Sequence, residues 1–320
     1  MEIVIVGSIG YDDIETPIVT GSDVLGGSAV HAGASAAFHL PEIPDGGARV
    51  GLVGPIGDDF SISDSAKLED LGIDFSGVQK LPGKTFRWSG KYSGKMENVE
   101  TISTEVNVLA DFSPEIPEAW RSPRILFCAN THPASQIQVL DQCPSAEITA
   151  IDTFMLWIET EYSLLSQALR MVDIAILNEE EVCAISGEDM FMKAIDPILS
   201  GSCLEGGESA GKGPRGLIIK RGSSGVIAYL PCGVIALPSY PIKEIADPTG
   251  CGDSFAGALL ANISGRKGIL NDIDSMRDAM VHATVSSSFT IEGLGTNKLQ
   301  GLERGVYHAR MDNYRRIIGL

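Results

Sequence analysis

Short apolar runs punctuate the first two thirds of the chain: Ile3 to Val6, Val50 to Val53, Ile125 to Cys128, Ile148 to Ile151, Ile174 to Leu177 and Leu217 to Ile219. Each is too short for a helix, and helical or turn-rich stretches separate most of them, the pattern of strands buried on both faces. The alternation predicts an α/β fold, a doubly wound and mostly parallel sheet flanked by helices. Two stretches break the rhythm. Phe86 to Tyr92 and Thr101 to Val108 alternate apolar and polar residues, which suits strands with one face in water. Together with residues 11–25 they predict a small sheet off the main body, with lid strands at about 11–25 and 85–110. Its polar loop, Ser93 to Asn98, is either a plain surface hairpin or part of a lid that shuts water out.

Helical periodicity appears after Gly26-Gly27, in a small-residue stretch running to Phe38 and stopped at Pro41, and again through Met276, Ala279, Met280 and Ala283. The most informative stretch is Asp247-Pro248-Thr249-Gly250-Cys251-Gly252-Asp253. Proline and two glycines forbid regular structure, and then Phe255, Ala258, Leu259 and Ile263 recur at helical spacing, so a turn feeds a helix expected to begin near Asp253. Unpaired N–H groups of Gly250, Cys251, Gly252 and Asp253 at a helix N-terminus make an anion site. Asp253 at its mouth repels a resting phosphate but can take a proton from an alcohol attacking one.

In an open parallel sheet, ligands bind beyond the carboxyl ends of the strands. Asp12, Asn130, Asp152, Asn178 and Lys220 each follow an apolar run closely, so several polar groups converge there. Two other nucleotide motifs fail. Gly7-Ser8-Ile9-Gly10 lacks the glycine spacing of a dinucleotide fold, and Gly206 to Gly213 resembles a P-loop but has Gly213 in place of the metal-binding hydroxyl.

A net charge of −18 argues against nucleic acid or an anionic membrane as a partner, since both need a cationic face. The arginines near the carboxyl terminus are expected on a solvated helix. Six scattered cysteines, none in C-x-x-C spacing, suggest neither zinc nor a disulfide framework. With no basic n-region before Ile3 and no apolar stretch of membrane-spanning length, the cytoplasm is the expected address.

The string Asp247 to Asp253 closely resembles the D-T-x-G-A-G-D signature of the PfkB or ribokinase-like family of carbohydrate kinases. The likeness extends to Gly7 to Asp12 with Gly26-Gly27, to Val53 to Phe60, to Asn178-Glu179-Glu180-Glu181 and to Lys220 to Gly225. It implies one ribokinase-like domain over residues 1–320, with ATP and Mg²⁺ as cofactors and an acceptor hydroxyl on a sugar or sugar-like molecule. Asp253 would be the base and the amides of Gly250, Cys251 and Gly252 the anion hole. Asp12 would bind the acceptor, and Gly26 and Gly27 would form the lid hinge. Asn130 is a further candidate for the acceptor pocket, and so is His31, which stands where the family usually has asparagine. Asn178, Lys220, Gly222 and Gly225 would hold ATP, with Glu181 and Asn178 organising magnesium through water. Some relatives need a monovalent cation near the position of Asp247, and many dimerise through the lid. Cys251 replaces the usual alanine, and at a helix N-terminus its thiol is expected to be acidic and oxidisable. Two alternatives remain: a nucleoside kinase, with Tyr11, Phe86 and Trp88 as stacking groups, and a sugar or nucleotide sensor without catalysis.

Overall fold

All six apolar runs become strands in the structure, a computed structural model that describes residues 1–320 except Glu42, 44–46, Lys95, Glu97 and Asn98. The loop Ser93 to Asn98 therefore lies partly outside the described residues. In chain order the strands are β1 (Ile3–Val6), β2 (Gly10–Glu15), β3 (Thr20–Gly26), β4 (Val50–Ile56), β5 (Ile73–Lys80), β6 (Phe86–Tyr92) and β7 (Val99–Glu105). They continue as β8 (Ile125–Cys128), β9 (Ile148–Ile151), β10 (Ile174–Asn178), β11 (Gly216–Lys220), β12 (Val226–Leu230) and β13 (Gly233–Leu237).

The large sheet has the order β13-β12-β11-β10-β9-β8-β1-β4-β5. It is parallel from β5 through β11, and β12 and β13 add an antiparallel edge. Successive residues of β1 feed opposite layers: Ile3 and Ile5 join a core with Leu259 and Met280, whereas Val4 and Val6 join one with Leu165 and Val182. Burial on both faces explains why these runs carry no polar alternation. Strands β5, β12 and β13 were not expected. Edge position leaves β5 with polar residues at Asp74, Ser76 and Gln79 and leaves Val234 of β13 52 % exposed, so neither reads as a continuous apolar run.

The small sheet has the order β3-β2-β6-β7. The expected strand Thr101 to Val108 ends early, at Glu105. Asn107 takes a left-handed φ of 47°, its Nδ2 donates to the Thr85 carbonyl, and the chain turns into a 3-10 turn at Asn107–Leu109. Gly10 pairs in register with both Gly26 and Phe86, and Arg87 pairs with Glu105. The chain thus passes between the two sheets along a single row at one end of the small one. At that row Gly27 takes φ 100°, a conformation closed to most side chains, and caps helix Ser28–His39.

The P-loop-like stretch has the wrong polarity for a phosphate. Arg170 donates to the carbonyls of Gly201, Glu205, Gly207 and Gly211, so oxygens rather than N–H groups converge there. The terminal helix Arg304–Ile318 is not solvated all round. Tyr307, Met311 and Tyr314 are buried, and Arg310 lies 3.6 Å over the Phe289 ring. Among the described residues no helix is long and apolar enough to cross a membrane.

Candidate active site

Because β1, β8, β9, β10 and β11 are parallel, their carboxyl ends share one edge, and Asn130, Asp152, Asn178 and Lys220 come out on it together. Helix Cys251–Ile263 starts at the same place. Thr249 N–H donates to Asp247 Oδ1 at 2.9 Å, Gly250 turns left-handed at φ 73°, and Ser254 N–H reaches the Gly250 carbonyl at 2.9 Å. The helix therefore begins at Cys251, half a turn before the expected Asp253. One expected amide is spent in the turn: Cys251 N–H donates to the Pro248 carbonyl at 3.2 Å. The N–H groups of Gly250, Gly252 and Asp253 have no backbone acceptor among the described residues, and no side chain caps the helix. Such a terminus favours an anion.

Lys220 stands beside those amides. A Cβ on Gly252 would lie 3.1 Å from its Nζ, and the ammonium is paired with Asp152 Oδ2 at 2.5 Å. Burial works against its charge, but Asp152, Glu181 and Asp253 outweigh that and hold Lys220 above the ordinary lysine range. Burial also raises Asp253, with the Asp152 charge adding to the rise and Lys220 opposing it. Glu181 is raised for the same reasons, again first by burial. Three carboxylates thus share one cation, an arrangement that favours a proton acceptor poised well above ordinary aspartate.

Asn178 and Glu181 hold each other in a capping box. Asn178 N–H donates to Glu181 Oε2 at 2.7 Å, and Glu181 N–H donates to Asn178 Oδ1 at 2.8 Å. Gly222 opens and Gly225 closes the 3-10 turn Gly222–Ser224 that follows β11. Across the site, Asp12 is 4 % exposed against Gly26, where a Cβ would lie 2.0 Å from its Oδ2. Its carboxyl is pushed up to about 8 by burial, helped by Asp247 and Asp253.

Other expected residues lie elsewhere or behave differently. His31 is 1 % exposed behind the Gly250 turn, both its ring nitrogens are buried without a partner among the described residues, and burial lowers it to about 4. The Cys251 thiol is not acidic. Burial raises it, and nearby Asp247 adds to that, so desolvation overrides the helix dipole. Tyr11 is no open stacking face: it is 5 % exposed, its hydroxyl donates to Asp64 Oδ2 at 2.9 Å, and Arg87 covers its ring. Sequence reasoning missed two contacts. Tyr92, the last residue of β6, meets Thr249 Oγ1 at 3.1 Å and links the small sheet to the glycine turn. Trp157 Nε1–H donates to Asn130 Oδ1 at 3.0 Å. The β-alternation ending at Tyr92 was the available signal for the first, and nothing in the sequence signals the second.

A family model described as pfkB family carbohydrate kinase matches residues 43–299. A cytidine kinase of Thermococcus kodakarensis is 31 % identical over 274 residues, 82 % of this chain and 89 % of that protein. Among solved structures, a nucleoside kinase of Burkholderia thailandensis in complex with inosine superposes with a TM-score of 0.75 at 18 % identity, covering 98 % of each chain. A ribokinase-type protein of E. coli in complex with ATP and Mg²⁺ gives 0.73 at 18 % identity, covering 98 % of this chain and 99 % of its own. At those identities the two structures share the fold.

Proposed function

Because the chain belongs to the pfkB family of carbohydrate kinases, we propose that its site moves the γ-phosphoryl group of ATP to a hydroxyl of a nucleoside. The observation that carries the chemistry is the meeting of Asp253, Lys220 and the Gly252 and Asp253 amides, which no backbone carbonyl accepts from among the described residues, at one helix terminus. The 31 % identity to a cytidine kinase favours a nucleoside over a free sugar as the acceptor.

In this reading Asp12 accepts hydrogen bonds from the acceptor's hydroxyls and aims one at the phosphorus. The acceptor oxygen forms a bond to the γ-phosphorus as the bond to the β,γ-bridging oxygen breaks, and Asp253 takes the hydroxyl proton. Amides and Lys220 spread the charge on the moving group, which is where a loose transition state needs stabilisation. The small sheet closes over the acceptor and excludes water. Magnesium fits through water. Glu181 keeps one carboxylate oxygen outside its capping box, and among the described residues no group of three His, Cys, Asp or Glu is placed to hold a bare ion. When bound, the ion would neutralise phosphate charge.

A coupled ADP-release assay over cytidine, other nucleosides, ribose and hexoses tests the reading. Nucleosides are expected to give the highest kcat/KM. A free sugar outperforming them all would replace the acceptor class, and ADP release that no acceptor stimulates would overturn the kinase reading.

The pH profile follows from the charges. Asp253 must be ionised to act, and burial with Asp152 raises it, so the acidic limb of kcat/KM is expected well above the ordinary carboxylate value of about 4. Asp152→Asn removes a negative neighbour and frees Lys220 toward Asp253. Both effects favour the ionised base, and the limb should move to lower pH. A limb that stays put or rises counts against Asp253 as the titrating group.

A further inference from the structure

We infer that Trp157 sets the hydrogen-bonding polarity of the acceptor pocket: it turns the Asn130 amide so that the –NH₂ group faces the substrate and reads an acceptor atom on the nucleobase. This rests on the nucleoside reading above. Trp157 lies on the short helix Met155–Thr160, which leaves the carboxyl end of β9 just after Asp152. An indole N–H can only donate, so the Asn130 atom 3.0 Å from Nε1 must be its oxygen. The amide nitrogen is then forced to the other side. There it has no acceptor among the described residues, and Asn130 is only part-buried.

Backbone contacts make the placement firm. Ser28 Oγ donates to the Asn130 carbonyl at 3.0 Å, and Ser28 is itself tied to Ser8 through its N–H at 3.0 Å. Asn130 follows β8, the sheet neighbour of β1, and β1 leads through Ser8 into the strand that carries Asp12. The pocket therefore offers two opposite polarities. Asp12 accepts from hydroxyls, and Asn130 donates. Beside the amide the Trp157 ring meets His132 edge-on at 5.0 Å, and Phe154 is 46 % exposed at the start of the same helix. A flat heterocycle with a ring nitrogen or carbonyl matches an aromatic wall next to a fixed donor better than a sugar does. Trp157 is a positioning residue in this scheme, and Asn130 is the group that touches substrate.

Steady-state kinetics with cytidine and ribose, ribose serving as acceptor or as competitive inhibitor, separate the possibilities. Asn130→Asp keeps an oxygen for Trp157 and the same shape but replaces the donor. It is expected to raise the cytidine KM about tenfold or more, with the loss on KM rather than kcat, and to cut the preference for cytidine over ribose by a similar factor. Trp157→Phe keeps the ring without the N–H and should cause a smaller KM rise. Added to Asn130→Asp it should change little, because it acts through that amide. Melting temperatures near wild type would show that both variants fold. An Asn130→Asp enzyme with unaltered preference, or a Trp157→Phe effect that adds in full to it, overturns the inference and leaves nucleoside phosphorylation standing. A wild-type enzyme that phosphorylates no nucleoside removes both.

Discussion

Replacing Asp253 with asparagine is expected to lower kcat by about 10²- to 10⁴-fold while ATP affinity stays near wild type. The side chain keeps its size and its place in the first turn of helix Cys251–Ile263, so the amides and Lys220 keep their arrangement at the helix terminus, where the proposed function puts the nucleotide. What is lost is the proton acceptor. Rapid-quench measurement of phosphoryl transfer, with calorimetric titration of ATP, separates the two effects. Turnover within about threefold of wild type would take Asp253 out of the proton transfer. Stability should move the other way. Asp253 has a higher pKa folded than unfolded, so the folded chain holds a proton that the unfolded chain releases between about pH 4 and the raised value. Stability falls as pH rises through that window, and the full cost is present above it. At pH 8 the neutral asparagine avoids the cost, and the variant should melt at least as high as wild type, by roughly 2 °C. An active site that weakens its own fold in this way is a familiar compromise.

The second large effect is expected at Gly250, where alanine should reduce both stability and turnover. A side chain in the left-handed region costs about 1–2 kcal/mol, and here the added Cβ would also sit 2.2 Å from the buried His31 ring. Overpacking of that kind typically costs a further 1–3 kcal/mol. Relief of the collision shifts the Gly252 and Asp253 amides, and donors that stabilise a transition state tolerate little displacement, so kcat should fall at least tenfold, roughly, in the variant that remains folded. Combining Gly250→Ala with His31→Ala removes the collision and leaves the backbone penalty. The double variant should therefore melt above Gly250→Ala alone. A double variant that melts lower would mean that the void left by the imidazole costs more than the collision it relieves.

Much of this arrangement is legible in the sequence. Strands buried on both faces announce themselves by unbroken apolar runs, and six of the large sheet's strands did so. The turn before helix Cys251–Ile263 was readable because proline and glycine act locally. Contacts between distant residues were not. Lys220 and Asp152 are 68 positions apart, Trp157 and Asn130 are 27 apart, and neither pair has a periodic or motif signal. Local rules also failed where burial overruled them. A cysteine at a helix terminus argues for an acidic thiol, but depth reverses that at Cys251. An aromatic residue next to Asp12 argues for a stacking face, but Tyr11 is consumed as a strut between Asp64 and Arg87.

The strands of the small sheet join the main body along the row through Gly26, Gly10 and Phe86, and at the far end of β6 Tyr92 rests against Thr249. Rotation about such an axis moves each residue in proportion to its radius. Asp12 lies two residues out and Glu15 five, radii of about 7 Å and 17 Å at the usual rise per residue. A swing of some 10° would then part Tyr92 from Thr249 and carry the tip about 3 Å but Asp12 only about 1 Å, so on the proposed function the sheet could open for an acceptor while the carboxylate assigned to hold it stays nearly on station.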